Sequence, residues 1–365
     1  MRSYSTGFFA LVGFTALSTA LWAGQNGSAS AEAAASIPVS ASTITLRASS
    51  TMNVVSEMGG AFMSSSKCDA DGNLYIRKFA ADRPLLGPVV KIDADGKRVA
   101  LFDPAAFSQL ALERADAFSP ASDGGLYQIA QSAGLKPRIY VLHYASDGSP
   151  ASPARLDADF EVYTFAAFAG GNFLVSGVRR DAQNKDDHGR NFTAVFSADG
   201  RELARLSFEE ATGRGKAGAG LKLQPKDAAK VAPALDLSDA EVGADGYLYV
   251  MRPSSPALVY VIAPSGKIMQ TLKVTPPLLG AMPNAFHVSG NRLAVVFANG
   301  GDPGQENRGS AVVVADAQTG GTIASYAAPA APGASFACFS ANDGVFTFLK
   351  LVEGNALEVV HAEAQ

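Results

Sequence analysis

The chain has 365 residues, 47% of them hydrophobic and 18% charged, enough apolar material to bury a sizeable core. Its formal net charge of -4, with no blocks of like charge, excludes bulk attraction to nucleic acid. No Gly-rich phosphate loop, dinucleotide fingerprint or CysXXCysHis haem site is present, which removes the commonest cofactor classes.

Residues 1–31 read as a secretory signal. Arg2 supplies a positive start, Phe8 to Ala23 is apolar and uncharged, and AlaSerAla at Ala29 to Ala31 is a small-residue cleavage site. The alternative is an uncleaved anchor, for which the apolar segment is short. Neither cysteine lies near the cleavage site, so lipid attachment there is not expected, and the only tryptophan, Trp22, leaves with the signal. Residues 32–41 form an Ala-rich loose leader. The expected location is the periplasm or the outside of the cell, with no membrane contact after cleavage.

Next comes a short β-prone segment, Ser42 to Arg47, and then a unit that occurs six times: a Gly turn followed by an apolar run. The copies are Asp71 to Ile76, Asp123 to Gln128, Gly170 to Val175, Asp245 to Val250, Ser289 to Ala294 and Asp343 to Phe348. Aligned on Leu74, Leu126, Leu174, Leu248, Leu293 and Phe346, they lie about 45 to 75 residues apart, the period of a propeller blade or solenoid repeat. Further apolar runs with their own turns follow, as in Val89 to Lys97, Arg138 to Gly148, Ala194 to Arg201 and Val259 to Lys267. Gly at the turns and Val, Ile, Tyr and Phe in the runs make each unit a four-stranded antiparallel meander. Such sheets bury their faces by stacking radially.

The repeated strand, Asp-Gly turn and Leu-Tyr-Val strand resembles the start of each blade in six-bladed β-propellers of the NHL and TolB-like type. WD-repeat and kelch propellers are poor matches, because the mature chain has no Trp and its Gly-Gly pairs are scattered. The resemblance covers about Met52 to Ala362 and concerns fold; it brings no catalytic motif. It implies an all-β, six-bladed propeller over residues 42–365, with Leu74-type residues in second strands. The last copy shows only three strands, at Ser335 to Ser340, Val345 to Leu351 and Ala356 to Ala362. Ser42 to Arg47 is therefore expected to close it as the outermost strand, since an open edge is a liability. Glu209 to Leu237, rich in Gly, Ala and Lys, is an inserted loop with at most a helical turn before Pro233.

In a meander of this kind the tight Asp-Gly turns share one face, and the longer connections, such as Lys78 to Pro88, Arg179 to Asn191 and Asn299 to Gly309, share the other. Variable loops on a rigid frame are the usual place for binding. Cations gather where second strands reach that face: Arg77, Lys78, Arg179, Arg180, Arg252 and Lys350. They suit an anionic ligand group, or are solvated strand ends paired with Asp82, Asp181, Asp186 and Glu353. The expected function is that of an exported, non-catalytic, cofactor-free monomer binding a protein, peptide or glycan on the long-loop face.

The alternative is a metal-dependent hydrolase. Six-bladed lactonases hold a divalent cation at the channel mouth with carboxylate and amide oxygens, and resemblance to them points to Asp116, Asp239 and Asn284 with calcium or another divalent ion. Corresponding positions elsewhere are Ser65, Phe165 and Ala337, and Glu57 is a candidate for the further carboxylate. Asp69 and Asp93 open Asp-X-Asp-Gly runs, but the twelfth residues are Ala80 and Pro104, so these are hairpin turns rather than calcium loops. The four histidines, His143, His188, His287 and His361, include no close pair for zinc. Cys68 and Cys338 precede the first and last turn copies and sit in innermost strands that ring closure makes neighbours. They form a disulfide there or remain two buried thiols.

Overall fold

A computed structural model describes residues 43–59, 62–135, 137–156, 160–179, 191–206, 240–277, 280–299, 310–328, 334–353 and 356–365, without the side chains of 62–65, 179, 191 and 299. The signal, leader, inserted loop, Arg180, Asp239 and His188 lie outside the described residues.

Strand β1 (Ile44–Asn53) and one helical turn, α1 (Val55–Met58), precede a series of antiparallel meanders. The first contains β2 (Phe62–Cys68), β3 (Leu74–Lys78), β4 (Val89–Ile92) and β5 (Arg98–Phe102), and a 3-10 helix, Pro104–Leu110, leads onward. The second contains β6 (Leu112–Pro120), β7 (Leu126–Ser132), β8 (Ile139–Tyr144) and β9 (Ala154–Arg155). The third contains β10 (Phe160–Ala167), β11 (Phe173–Arg179), β12 (Asn191–Phe196) and β13 (Glu202–Arg205). The fourth contains β14 (Glu241–Val242), β15 (Leu248–Arg252), β16 (Ala257–Ile262) and β17 (Ile268–Val274). The remaining strands are β18 (Ala281–Ser289), β19 (Arg292–Asn299), β20 (Ala311–Asp316), β21 (Thr322–Ala327), β22 (Ala334–Ser340), β23 (Val345–Val352) and β24 (Ala356–Ala364). They join β1 in one eight-stranded sheet of order β18-β19-β20-β21-β1-β24-β23-β22.

The Leu74-type residues all fall in second strands: β3, β7, β11, β15, β19 and β23. These strands lie between a first and a third strand and between neighbouring sheets. They are therefore buried continuously rather than on alternate residues, as in the first four positions of β3 and of β15. The turns before them close on themselves. The Asp69 N–H donates to the Asn73 carbonyl (3.1 Å), and its carboxylate accepts the Asp71 and Asn73 N–H groups (3.1 and 3.0 Å). Gly72 supplies the φ of +80° that this turn needs. Asp93 uses its carboxylate in the same way, on the N–H groups of Asp95 and Lys97.

The Tyr of the Leu-Tyr pair ties turns together. The Tyr75 hydroxyl donates to the Gly124 carbonyl of the next sheet (2.9 Å), and Lys91 joins it there at 3.2 Å while lying 3.3 Å from Asp69. Burial, reinforced by the Asp69 charge, pushes the Tyr75 hydroxyl pKa well above the ordinary tyrosine value. Tyr249 instead bonds within its own turn, its hydroxyl donating to Asp245 (2.9 Å).

The outer hairpin turns pack differently, each against the outermost strand of the preceding sheet. Gly200 has φ +90°, and any Cβ there would overlap the Arg155 carbonyl, so the position demands glycine twice over. Gly96 of the first sheet meets Val54 and Met52, at the end of β1, in the same fashion. β1 thus stands where an outermost strand stands in other sheets. It pairs antiparallel with β24 from Leu46↔Ala364 to Asn53↔Glu358, and parallel with β21 only at Ile44↔Tyr326 and Thr45↔Ala327. The closing strand runs past the expected Arg47 because β24 offers partners as far as Glu358.

The first strands β2, β6, β10, β14, β18 and β22 neighbour one another in that cyclic order, with β22 returning to β2. The arrangement is that of a β-propeller. At the return, Cys68 at the end of β2 is bonded to Cys338 in β22, with α-carbons 6.1 Å apart across a separation of 270 residues.

Candidate binding face and axial site

Because tight turns join first strands to second strands at one end, every second strand finishes at the opposite end, among the longer connections. Arg77 and Lys78 finish β3, Arg179 finishes β11, Arg252 finishes β15, and Lys350 lies near the end of β23. Their environments differ. Arg77 is 7% exposed and donates to the carbonyls of Ala115 and Leu85 (the latter at 3.3 Å), with Asp116 3.7 Å away. Burial lowers the pKa of its guanidinium, the Asp116 charge opposes that shift, and Arg114 adds to it. Arg77 therefore acts inside the seam between the first two sheets. Lys350 lies 3.6 Å from Glu358 on the neighbouring strand. Lys78 donates to the Gly59 carbonyl (3.4 Å) and its charge helps to lower the pKa of the Asp103 carboxyl, while Arg252 donates to the Tyr260 hydroxyl (3.4 Å); neither forms a close ion pair among the described residues.

Large exposed apolar side chains accompany these cations. Phe79 (42%), Leu85 (52%) and Leu135 lie in connections at this end, while Met282 is the second residue of β18, Leu351 nears the end of β23, and Tyr163 (53%) lies near the start of β10. A different set, Val99, Leu203, Met269 and Ile323, occupies the second position of four outermost strands.

Nearer the axis, first strands carry β-bulges, which turn a residue out of the ladder. Among them are those at Asp116 and Ala117, at Tyr163, at Asn284 and at Ala337. Sequence spacing pointed to Phe165 in the third repeat, but the extra residue between Val162 and Thr164 shifts the register. Phe165 is fully buried opposite Val175, and Tyr163 takes the exposed place. Asp116 is held by Arg77 and by an ion pair with Arg114. Asn284 is exposed, and Asp239 lies outside the described residues. Glu57 points elsewhere, its carboxylate accepting the Arg98 N–H (3.1 Å). Among the described residues no group of three His, Cys, Asp or Glu side chains is placed to hold a metal ion.

Two polar contacts near the axis were not legible in the sequence. Lys67 of β2 donates to the Ala240 carbonyl at the start of the fourth sheet (3.0 Å). Beside it, Glu241 accepts the Val288 N–H (2.7 Å) and lies 2.8 Å from Nδ1 of His287, which is buried in β18. Only the register of three separate sheets brings Lys67, Glu241 and His287 near one layer.

No known family profile and no curated protein sequence matches the chain. Solved structures similar to it include a gluconolactonase from Xanthomonas campestris, at 12% identity over 86% of this chain and 89% of that chain, TM-score 0.43. Another is an Agrobacterium tumefaciens protein assigned as TolB, at 14% identity over 86% and 96%, TM-score 0.43. A third is a protein of unknown function from Bacteroides caccae, at 11% identity over 72% and 80%, TM-score 0.41. Among the described residues no helix is long and apolar enough to cross a membrane.

Proposed function

We propose that this chain is an exported six-bladed propeller that binds a protein, peptide or glycan across the end where its second strands finish. The count of six takes the eight-stranded sheet as two blades, since β1 and β21 share only two parallel pairs. Export is supported by the signal-like residues 1–31 and by a disulfide, which an oxidising compartment sustains.

The observation that carries binding is the contrast between the two ends. At the turn end, adjacent turns are tied to each other. Besides the Tyr75 and Lys91 bonds to Gly124, Ser122 donates to the Ala169 carbonyl (3.1 Å) and the Ala341 N–H donates to Ser289 (3.0 Å). At the other end Phe79, Leu85, Leu135, Tyr163, Met282 and Leu351 are exposed beside Lys78 and Arg252. Apolar side chains scattered singly need no explanation, but their gathering at one end together with cations in no close ion pair among the described residues suits a partner surface.

Peptide and glycan arrays probed with the full chain would supply a ligand. A variant carrying Phe79→Ser, Leu351→Ser, Lys78→Gln and Arg252→Gln is expected to bind it at least about tenfold more weakly. Its salt dependence should also be flatter, because exposed charges are screened. Equal affinity of the two proteins, with unchanged salt dependence, rejects this face.

A further inference from the structure

We propose that Lys67 supplies the positive charge on the propeller axis that a metal-dependent hydrolase would draw from a divalent cation, so that the axis is closed by an internal strut. In the cyclic order of first strands, β2 and β14 are three places apart, on opposite sides of the ring. The 3.0 Å bond from Lys67 Nζ to the Ala240 carbonyl therefore crosses the axis. It meets the shortest first strand, the two residues of β14, at the residue that leads into it. On the other flank the same strand is held from β18, where His287 and the Val288 N–H engage Glu241. β14 is thus fixed from across the ring and from the next sheet, where its own sheet offers only the pairs Glu241↔Tyr249 and Val242↔Leu248.

Among the described residues, the chemistry around the strut disfavours a divalent ion. Strand pairing places Lys67, Ser119, Phe165, Glu241, His287 and Cys338 in one layer, each opposite the residue that follows a Leu74-type position. A calcium ion takes six to eight oxygen ligands, and magnesium demands a near-octahedral set. This layer offers one carboxylate, already engaged by His287 and Val288, and one hydroxyl, beside a fully buried phenyl ring and a disulfide sulfur. In the bulges of the first strands, Asp116 faces two guanidinium groups.

Thermal unfolding of the full chain, with and without millimolar calcium chloride, tests the assignment. Calcium is expected to leave the wild-type midpoint unchanged. Lys67→Gln is expected to lower it by about 2–4 °C, with or without calcium, through loss of the charged bond to a backbone carbonyl. Lys67→Glu should fall further, with or without calcium, because one new carboxylate beside the Ala240 carbonyl is far from the six to eight oxygen ligands that calcium takes. A calcium-dependent rise in the wild-type midpoint overturns the proposal, as does a Lys67→Gln midpoint equal to wild type. Should Lys67→Glu fail to fold, calorimetric titration of the wild type with calcium decides, with saturable binding as the adverse result.

Discussion

Arg77 and Lys78 are adjacent in sequence and opposite in role. Arg77 is buried and fans its guanidinium over the carbonyls of Ala115 and Leu85 and towards Asp116, so it joins β3 to β6. Arg77→Gln leaves those carbonyls and the Asp116 charge under-satisfied and is expected to lower stability by about 2–3 kcal/mol. Arg77→Lys recovers only part of this, since an ammonium lacks the planar fork. Lys78→Gln should stay within about 0.5 kcal/mol of wild type. Urea denaturation of the three variants gives the comparison, and equal midpoints for Arg77→Gln and Lys78→Gln would remove the distinction. The sequence could not separate the pair, because both end an apolar strand. Two of the groups Arg77 reaches, the Ala115 carbonyl and the Asp116 carboxylate, lie at the bulge in β6, and a bulge adds one residue without a composition signal. The same cause moved Tyr163 into the place that spacing assigned to Phe165. Lys67 was missed for another reason: its partner is a backbone carbonyl 173 residues away, and carbonyls have no sequence signature.

Elements were far more legible than contacts. A Gly turn followed by Leu-Tyr or its equivalents marks second strands, because a positive φ and a continuously buried strand impose strong, local residue demands. The closing strand could be read from a deficit, three strands where other units have four, although its end at Asn53 could not. β1 carries few buried side chains, only Leu46 being fully enclosed, so its hold comes largely from the ladder to β24 and from Met52 and Val54 against the Gly96 turn. Deleting residues before Val54 would bare the edges of β24 and β21 together. The expected result is a lower unfolding midpoint and loss of a single cooperative transition, followed by circular dichroism, with self-association through the freed edges. A truncated protein that melts at the wild-type temperature and stays monomeric would show that β1 is dispensable.

At the scale of the whole molecule, the ring is closed twice over the same seam. β1 brings the chain's start to β24, and Cys68–Cys338 bonds the innermost strands β2 and β22. The disulfide closes a loop of 270 residues in the unfolded chain, and on the loop-entropy view it contributes up to about 5 kcal/mol. Cys68→Ala with Cys338→Ala is therefore expected to cost about 3–5 kcal/mol, through loss of that constraint plus the small cavity left between two buried side chains. The two closures also bear on one event, the parting of the first and last sheets. With either in place the other works at a high effective concentration, so losing both should cost more than the sum of the single losses. A double-mutant cycle of the β1 deletion and the cysteine pair, read by urea denaturation, measures this coupling directly. Strictly additive losses would mean that the inner and outer strands of the seam separate independently, and that the ring behaves as a stack of sheets rather than as one closed unit.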